Sequence, residues 1–199
     1  MNARSSVQWI VAFFFMAAGF SSSVFASPTI IYGGKFDLPI LDKPGPGSWV
    51  TEATIEVLDH YTIYDLDVRI SITHTNVFDL QIFLQSPLGT RICLNMYDFK
   101  EEFFKGENYA GTIFDDEAEI PIEEGEAPFT GRFRPIEPYK LAEFDDENAY
   151  GLWCLQIYDM WDYDTGTLDS VEVMITICEP GTATLLILGV AFVALFKPR

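Results

Sequence analysis

The chain has 199 residues, with 30 acidic and 12 basic side chains and a formal charge of −18. Its length fits one domain rather than two. Both ends are apolar and hold no acidic residue, whereas residues 27–180 between them hold 9 basic and 30 acidic side chains. So anionic a body repels phosphate groups, which excludes nucleic-acid binding and attachment to anionic lipids through a basic patch.

Residues 1–26 have the three parts of a secretory signal peptide. Arg4 carries the charge of the first part, residues 9–20 are apolar, and small residues lead up to Ala26. This order is typical of an exported protein, and we place the cleavage after Ala26. The alternative is an uncleaved membrane anchor, which needs about 20 apolar residues, and the serines at 21–23 interrupt that length. Residues 27–47 are predicted to be a short linker and a first strand.

Apolar side chains recur at every second position in several short runs of the body. This period is that of a β-strand with one buried face. In the last run the pattern slips, because Leu168 is even-numbered whereas Val171, Val173 and Ile175 are odd-numbered. We therefore expect a β-bulge near Asp169 and Ser170. The runs that alternate are residues 51–57, 66–72, 80–84, 153–157 and 168–177.

Turn-forming residues separate these runs, and no part of the body shows a sustained helical period. Glycine and proline punctuate the chain at 43–47, 86–89, 128–131 and 164–166. Short strands with such turns predict an all-β fold, an antiparallel β-sandwich or jelly roll. We expect this domain to span residues 48–178.

Several segments of the body resemble the P domain, also called the Homo B domain, of proprotein convertases. The likeness covers about residues 37–177, and it implies the β-sandwich fold. In that family the P domain follows a subtilisin-like catalytic domain, but here only residues 27–47 precede it, so we expect no catalytic domain. The matching segments, in the order of the family, are residues 67–75, 79–84, 86–90, 114–118, 127–135, 141–144, 151–153 and 164–168.

The chain is poor in the residues that nucleophilic catalysis requires. A serine or cysteine nucleophile needs a neighbouring base, and the two histidines are His60 and His74. We expect His74 to be a partly buried histidine that is hydrogen-bonded to a neighbouring turn. The G-x-S-x-G, H-E-x-x-H and phosphate-loop motifs are missing from the sequence. The prediction is a protein that is not an enzyme, and the alternative by spacing alone is a glycosidase-type pair of carboxylates.

The acidic residues cluster near positions 115–119, 145–147 and 159–164. Calcium takes six to eight oxygen ligands, which loops rich in aspartate supply. The resemblance adds that some bacterial P domains bind calcium in a loop of this type. We predict Asp115, Asp116, Asp162 and Asp164 as calcium ligands. The alternative is a set of solvated anionic loops that keep the protein soluble.

The body contains three cysteines in an exported chain, where disulfides persist. Cys93 and Cys154 both alternate with apolar neighbours, so both point away from the core of their strands. If those strands are neighbours, their spacing suits a disulfide, and we predict the pair Cys93–Cys154 on that condition. Cys178 would then be the odd thiol.

Residues 179–199 resemble the PEP-CTERM sorting tail that bacterial exosortases are thought to recognise and remove. A Glu-Pro turn leads into an apolar run of about 15 residues, and Lys197 and Arg199 end the chain. That run is short for a permanent membrane span. The resemblance implies an exosortase-like sorting machinery as a partner and at least transient contact with the membrane. The alternative is a simple tail anchor.

Together these resemblances imply an exported, non-catalytic module of the bacterial cell envelope or extracellular matrix. Its role would be binding or structural, with an unknown protein or an extracellular polysaccharide as the partner. The alternative is an accessory module that stabilises or targets a separate subtilisin-like serine endopeptidase. Aromatic residues of the loops are candidates for a sugar- or protein-binding surface, or else they fill the sandwich beneath a long loop: Tyr97, Phe99, Phe103, Phe104 and Tyr109.

Overall fold

A computed structural model describes residues 27–41, 49–96 and 106–178. The predicted signal peptide and sorting tail lie outside these residues, as do the turn at 43–47 and four of the five loop aromatics. The described chain is all-β, as predicted. Its strands are β1 (Thr29–Ile40), β2 (Val50–Val57), β3 (Ile63–His74), β4 (Leu80–Gln85), β5 (Arg91–Asn95), β6 (Tyr109–Phe114), β7 (Arg132–Phe133), β8 (Gly151–Asp159) and β9 (Gly166–Ile177).

These strands form two sheets. One sheet has the order β1-β9-β3-β6-β7 and the other has the order β2-β8-β4-β5. All pairings are antiparallel except that of β6 with the short β7. Three single-turn 3-10 helices lie between strands, at Val77–Asp79, Ile122–Glu124 and Leu141–Phe144. None of the helices in these three described ranges is long and apolar enough to cross a membrane.

The alternating pattern of the sequence is the pattern of burial. In β3 the side chains of Leu66, Val68, Ile70 and Ile72 are all buried, while the residues between them are partly exposed. The same holds for β2, β4 and β8, and the apolar faces of both sheets meet in one core. The prediction of a β-sandwich from the two-residue period is therefore confirmed.

The predicted β-bulge is present in β9. Ser170 pairs with Ser71 of β3, but the next pair is Leu168 with Ile72, which leaves Asp169 as an extra residue. This insertion shifts the strand by one position, so that Leu168 and Val171 both face the core. The phase slip in the sequence has this physical cause.

The segment predicted as a linker and first strand contains a full strand. β1 runs along the outer edge of β9 for 12 residues, and a register shift separates Lys35 from Leu38. Gly33 has a φ of +109°, and a Cβ there would lie 2.3 Å from the carbonyl oxygen of Val171. Asp37 also has a positive φ, of 51°. Such irregularities, with a lysine on the strand, discourage the edge from pairing with another chain.

The two ends of the described body lie side by side. Thr29 of β1 pairs with Thr176 of β9, and the Ile177 amide donates to the Pro28 carbonyl at 3.0 Å. We call this the terminal end of the sandwich. β3 begins there, opposite Ile177, and runs to the distal end, where His74 pairs with Gly166.

Candidate functional site

His74 lies at the distal end and is more deeply buried than predicted. Its side chain is 0% exposed. The Nδ1 atom lies 2.9 Å from the carbonyl oxygen of Asn76 and 3.1 Å from its amide nitrogen, and Nε2 lies 3.1 Å from Oδ2 of Asp159. The predicted bond to a neighbouring turn is present, and a buried carboxylate engages the second ring nitrogen.

Asp159 is the last residue of β8, and it links the histidine to the β8–β9 loop. Its carboxylate is fully buried, and Oδ1 accepts a hydrogen bond from the Trp161 amide at 3.2 Å. Asp79, the last residue of the 3-10 helix before β4, is also buried and accepts a bond from Nδ2 of Asn76 at 2.9 Å. Burial, and then the nearby charges of Asp164 and Asp159, raise the pKa of Asp79 to about 6.

The β8–β9 loop is tied to the end of β3. The Thr75 hydroxyl donates to Oδ1 of Asp164 at 2.7 Å, and the Thr165 amide donates to the same hydroxyl at 3.1 Å. Backbone bonds also join the Thr75 amide to the Thr165 carbonyl and the Met160 amide to the Asp79 carbonyl. These hydrogen bonds hold the loop in a fixed position at the end of the sheet.

A second group of acidic residues lies nearer the terminal end, around Arg132. The Arg132 guanidinium contacts Oδ2 of Asp67 at 2.9 Å and Oδ2 of Asp115 at 2.6 Å. The carboxylate of Asp116 instead accepts the amides of Leu141 and Ala142, at 3.0 and 2.8 Å, at the start of a 3-10 helix. These aspartates organise the protein's own backbone and its arginine.

Several carboxyl groups of this second group hold protons more tightly than usual. Burial, and then the charge of Asp115, raise the pKa of Asp67 to about 6, although Arg132 acts in the opposite direction. A hydrogen bond to Asp115, with burial as a smaller cause, raises the pKa of Glu117 to about 7. Burial also raises the pKa of Asp65. The single positive charge of Arg132 does not balance the negative charges of the neighbouring carboxylates.

We expect the protein to become more stable as the pH falls from 7.5 to 5. The pKa values of Asp67 and Asp79 are about 6 in the folded state and about 4 in the unfolded state. Between these values the folded state binds more protons, so the free energy of unfolding decreases as the pH rises. Urea unfolding at pH 5.0, 6.0 and 7.5 measures this slope.

The variant Asp67→Asn isolates one contribution to that slope. Asp67 faces Asp65, Asp115, Asp116 and Arg132, and its replacement removes a titrating group without changing the side-chain shape. The slope between pH 5.0 and 7.5 should become shallower. The exposed variant Glu137→Gln controls for the change in net charge. An equal change of slope in both variants would contradict the assignment.

The four predicted calcium ligands do not come together. Asp115 and Asp116 follow β6 beside Val68, in the middle of β3, whereas Asp164 contacts Thr75 just beyond the distal end of β3. Six residues of strand separate Val68 from His74, roughly 20 Å, so no single ion reaches both pairs. In the three described ranges, no group of three or more His, Cys, Asp or Glu side chains has the arrangement of a metal site. Calcium binding at either pair stays a prediction, for calorimetric titration to test.

The condition on which the disulfide was predicted is not met. Cys93 lies on β5 and Cys154 on β8, but β4 lies between them, so the strands are not neighbours. Two strand spacings are about 10 Å, which exceeds the Cα separation of a disulfide. Both thiols are free, and so is that of the exposed Cys178. Burial raises the pKa of the Cys93 thiol to about 12, which makes it a poor nucleophile.

A shallow open depression of about 380 Å³ lies at the terminal end. His60, Tyr61, Tyr64, Asp146 and Cys178 are among the residues that line it. The ring of His60 stacks on Tyr150, with 4.0 Å between the ring centres. The depression is partly open to solvent.

Sequence reasoning missed the carboxylates Asp67, Asp79 and Asp159. Asp159 belongs to one of the acidic clusters that the sequence shows, and Asp79 to a segment that resembles the P domain. Nothing in the sequence pairs His74 with Asp159, because they lie 85 residues apart and meet only through the sheet order.

No family model and no curated protein matches the chain. Among solved structures, the crystal structure of the Aeromonas sobria serine protease and chaperone complex is similar to this chain, with a TM-score of 0.47 and 19% identity over 77% of this chain and 28% of that one. The crystal structure of the serine protease of Aeromonas sobria is similar with a TM-score of 0.46 and 19% identity, over 76% of this chain and 27% of that one. The structure of a strain of infectious bursal disease virus is similar with a TM-score of 0.35 and 11% identity, over 84% of this chain and 36% of that one. The chain thus spans less than a third of the first two, and likenesses this distant carry no argument about activity.

Proposed function

We propose that the chain is an exported, non-catalytic β-sandwich that acts as a binding or structural module of the bacterial cell envelope or extracellular matrix. The tail at 179–199 holds it at the membrane, at least until a sorting enzyme removes the tail. The distal end of the sandwich then faces away from the membrane.

The observation that carries this proposal is the position of the two ends. Residues 27–29 and 176–178 lie side by side at the terminal end, joined by the bond from Ile177 to Pro28. Both apolar segments of the sequence therefore continue from one end of the body. An anchor there leaves the loops of the distal end accessible to a partner.

The environment of the histidines supports a non-catalytic role. A general base must reach the proton that it removes, but His74 is shielded from solvent and has both ring nitrogens engaged. His60 is exposed and stacks on Tyr150. In the second group, Asp67 and Asp115 bind Arg132 and Asp116 binds backbone amides, which are structural roles.

The second candidate is an accessory of proteolysis. The segments that resemble the P domain favour it, because that domain accompanies subtilisin-like proteases. In this alternative the partner at the distal end is a separately encoded serine endopeptidase, which the module stabilises or targets.

Cell fractionation with the full chain and with a variant that ends at Cys178 tests the proposal. We expect the full chain in the envelope fraction and the shorter variant in the medium, because it lacks the tail. A circular dichroism spectrum of the shorter variant controls for folding. Retention of the full chain in the cytosol would refute the proposal. Peptide hydrolysis by the purified chain would also refute it, if the variant His74→Asn lacked that activity.

A pull-down from the envelope fraction separates the two candidates. Recovery of a subtilisin-like protease favours the accessory role. Recovery of a different protein or of an extracellular polysaccharide favours the binding or structural role.

A further inference from the structure

The β8–β9 loop places two large aromatic side chains at the distal end. Trp161 is 48% exposed and Tyr163 is 92% exposed. We call residues 160–165 the aromatic loop. Tryptophan and tyrosine are enriched among the residues that contribute most to binding at protein interfaces.

The backbone of the aromatic loop is strained at its tip. Tyr163 has a φ of +84°, which is unfavourable for a residue with a large side chain. Such a conformation persists only where the surrounding structure holds it, and it is found most often at functional sites. Here the bonds of Thr75 to Asp164 and Thr165 hold the chain on one side of Tyr163, and the bond of Trp161 to Asp159 holds it on the other.

The support of the loop lies in the protein interior. A Cβ at Gly166 would lie 2.2 Å from Cδ2 of His74 and 2.6 Å from the carbonyl oxygen of Thr73. The His74 ring therefore packs directly against the backbone where the loop enters β9, and Asp159 holds that ring. These contacts hold the backbone that carries Tyr163, and a tyrosine side chain, with two rotatable bonds, loses little conformational entropy on binding.

The charges of the loop and its strands indicate the chemistry of its ligand. The loop, β8 and β9 contain no lysine or arginine. Asp162 and Asp164 flank Tyr163, and Asp162 is exposed. An aromatic face beside carboxylates suits a cationic side chain, which gains a cation–π contact and an ion pair together. A neutral sugar would use the ring but not the charges.

We propose that the aromatic loop binds a basic segment of a partner protein, with a lysine or arginine side chain over the ring of Tyr163 and paired with Asp162. This inference rests on the proposed function, because it identifies the surface with which the module binds. Recognition at the distal end leaves the terminal end for the anchor.

The test measures binding of a labelled peptide of alternating arginine and glycine, eight residues long, to the full chain in detergent at physiological salt. Fluorescence anisotropy gives the dissociation constant. We expect Tyr163→Ala to weaken binding by roughly three- to tenfold, in line with the strength of a cation–π contact. Tyr163→Phe should retain most of the affinity, and Asp162→Asn should weaken it about two- to fivefold.

Controls at other sites are necessary because the whole body is anionic and attracts basic peptides without specificity. Tyr64→Ala removes an aromatic side chain that is 60% exposed near the terminal end. Glu119→Gln removes one exposed charge elsewhere. We expect the dissociation constant of each control variant to match that of the unmodified chain.

The outcomes distinguish this inference from the proposed function. Equal losses in Tyr163→Ala and Tyr64→Ala, or no binding by the unmodified chain, would overturn the inference but leave an exported binding module in place. Binding of a neutral polysaccharide that depends on Tyr163, without binding of the peptide, would also overturn it. Cytosolic retention of the chain would refute the proposed function whatever the loop binds.

Discussion

Replacing Trp153 with alanine should lower the free energy of unfolding by about 3 to 5 kcal/mol, because it leaves a large cavity in the core. The indole is fully buried in β8. Its Nε1 donates to the Ala149 carbonyl at 2.9 Å, and its ring meets Phe144 edge to face with 5.2 Å between the centres. The substitution thus also leaves a buried carbonyl without its donor. Urea unfolding followed by circular dichroism measures the loss.

The matched control for this prediction is Leu152→Ala, one residue earlier in the same strand. Leu152 points to the opposite face of the sheet and is 59% exposed. Its truncation should change the free energy of unfolding by at most about 0.5 kcal/mol. Similar losses in the two variants would mean that β8 does not have one buried and one exposed face.

Replacing Gly166 with alanine should destabilise the protein by about 3 kcal/mol and also release the aromatic loop. The added Cβ would overlap the His74 ring and the Thr73 carbonyl oxygen. Neither neighbour retreats easily, since Asp159 and Asn76 hold the ring and the carbonyl oxygen belongs to the backbone of β3. Urea unfolding measures the stability, and the rate of limited proteolysis after Trp161 and Tyr163 measures release of the loop.

Gly34→Ala is the control for this second prediction. Gly34 lies in the edge strand β1 with a φ of +147°, and no atom would lie within 4 Å of its Cβ. Its replacement introduces backbone strain of about 1 to 3 kcal/mol but no overlap with a neighbouring atom. We expect no change in proteolysis of the aromatic loop in this variant. If the loop is cleaved at the same rate in both variants, Gly166 does not hold the aromatic loop in place.

The strands were predictable because each has one buried face, so burial repeats every second residue. The run that contains Leu66 and Ile72 shows this period, and so does the break at Asp169 that proved to be a bulge. β1 was harder to predict. It is an edge strand with Gly33, Gly34 and Pro39 in its interior, and its side chains pack weakly against the core.

What the sequence did not reveal is the order of strands within each sheet. The facing directions of Cys93 and Cys154 do not show that β4 lies between them. Nor does the clustering of aspartates along the chain show that Asp115 lies beside the middle of β3 and Asp164 beyond its distal end. The contact of His74 with Asp159 depends on the same long-range pairing. The residues that support the aromatic loop could therefore be identified only from the structure.

The antiparallel pairing of β1 with β9 determines how the module responds to mechanical force. Tension between residues 27 and 178 would open the two strands one hydrogen bond at a time, like a zipper, because both ends lie at the same edge of the ladder. Tension between an anchored Cys178 and a partner that pulls on the aromatic loop would instead run along β9. That strand is bonded to β1 on one side and β3 on the other, with the bonds perpendicular to the pull, so many of them must shear together. The sandwich would therefore resist a pull between its C-terminal anchor and the aromatic loop much better than a pull that separates its two ends.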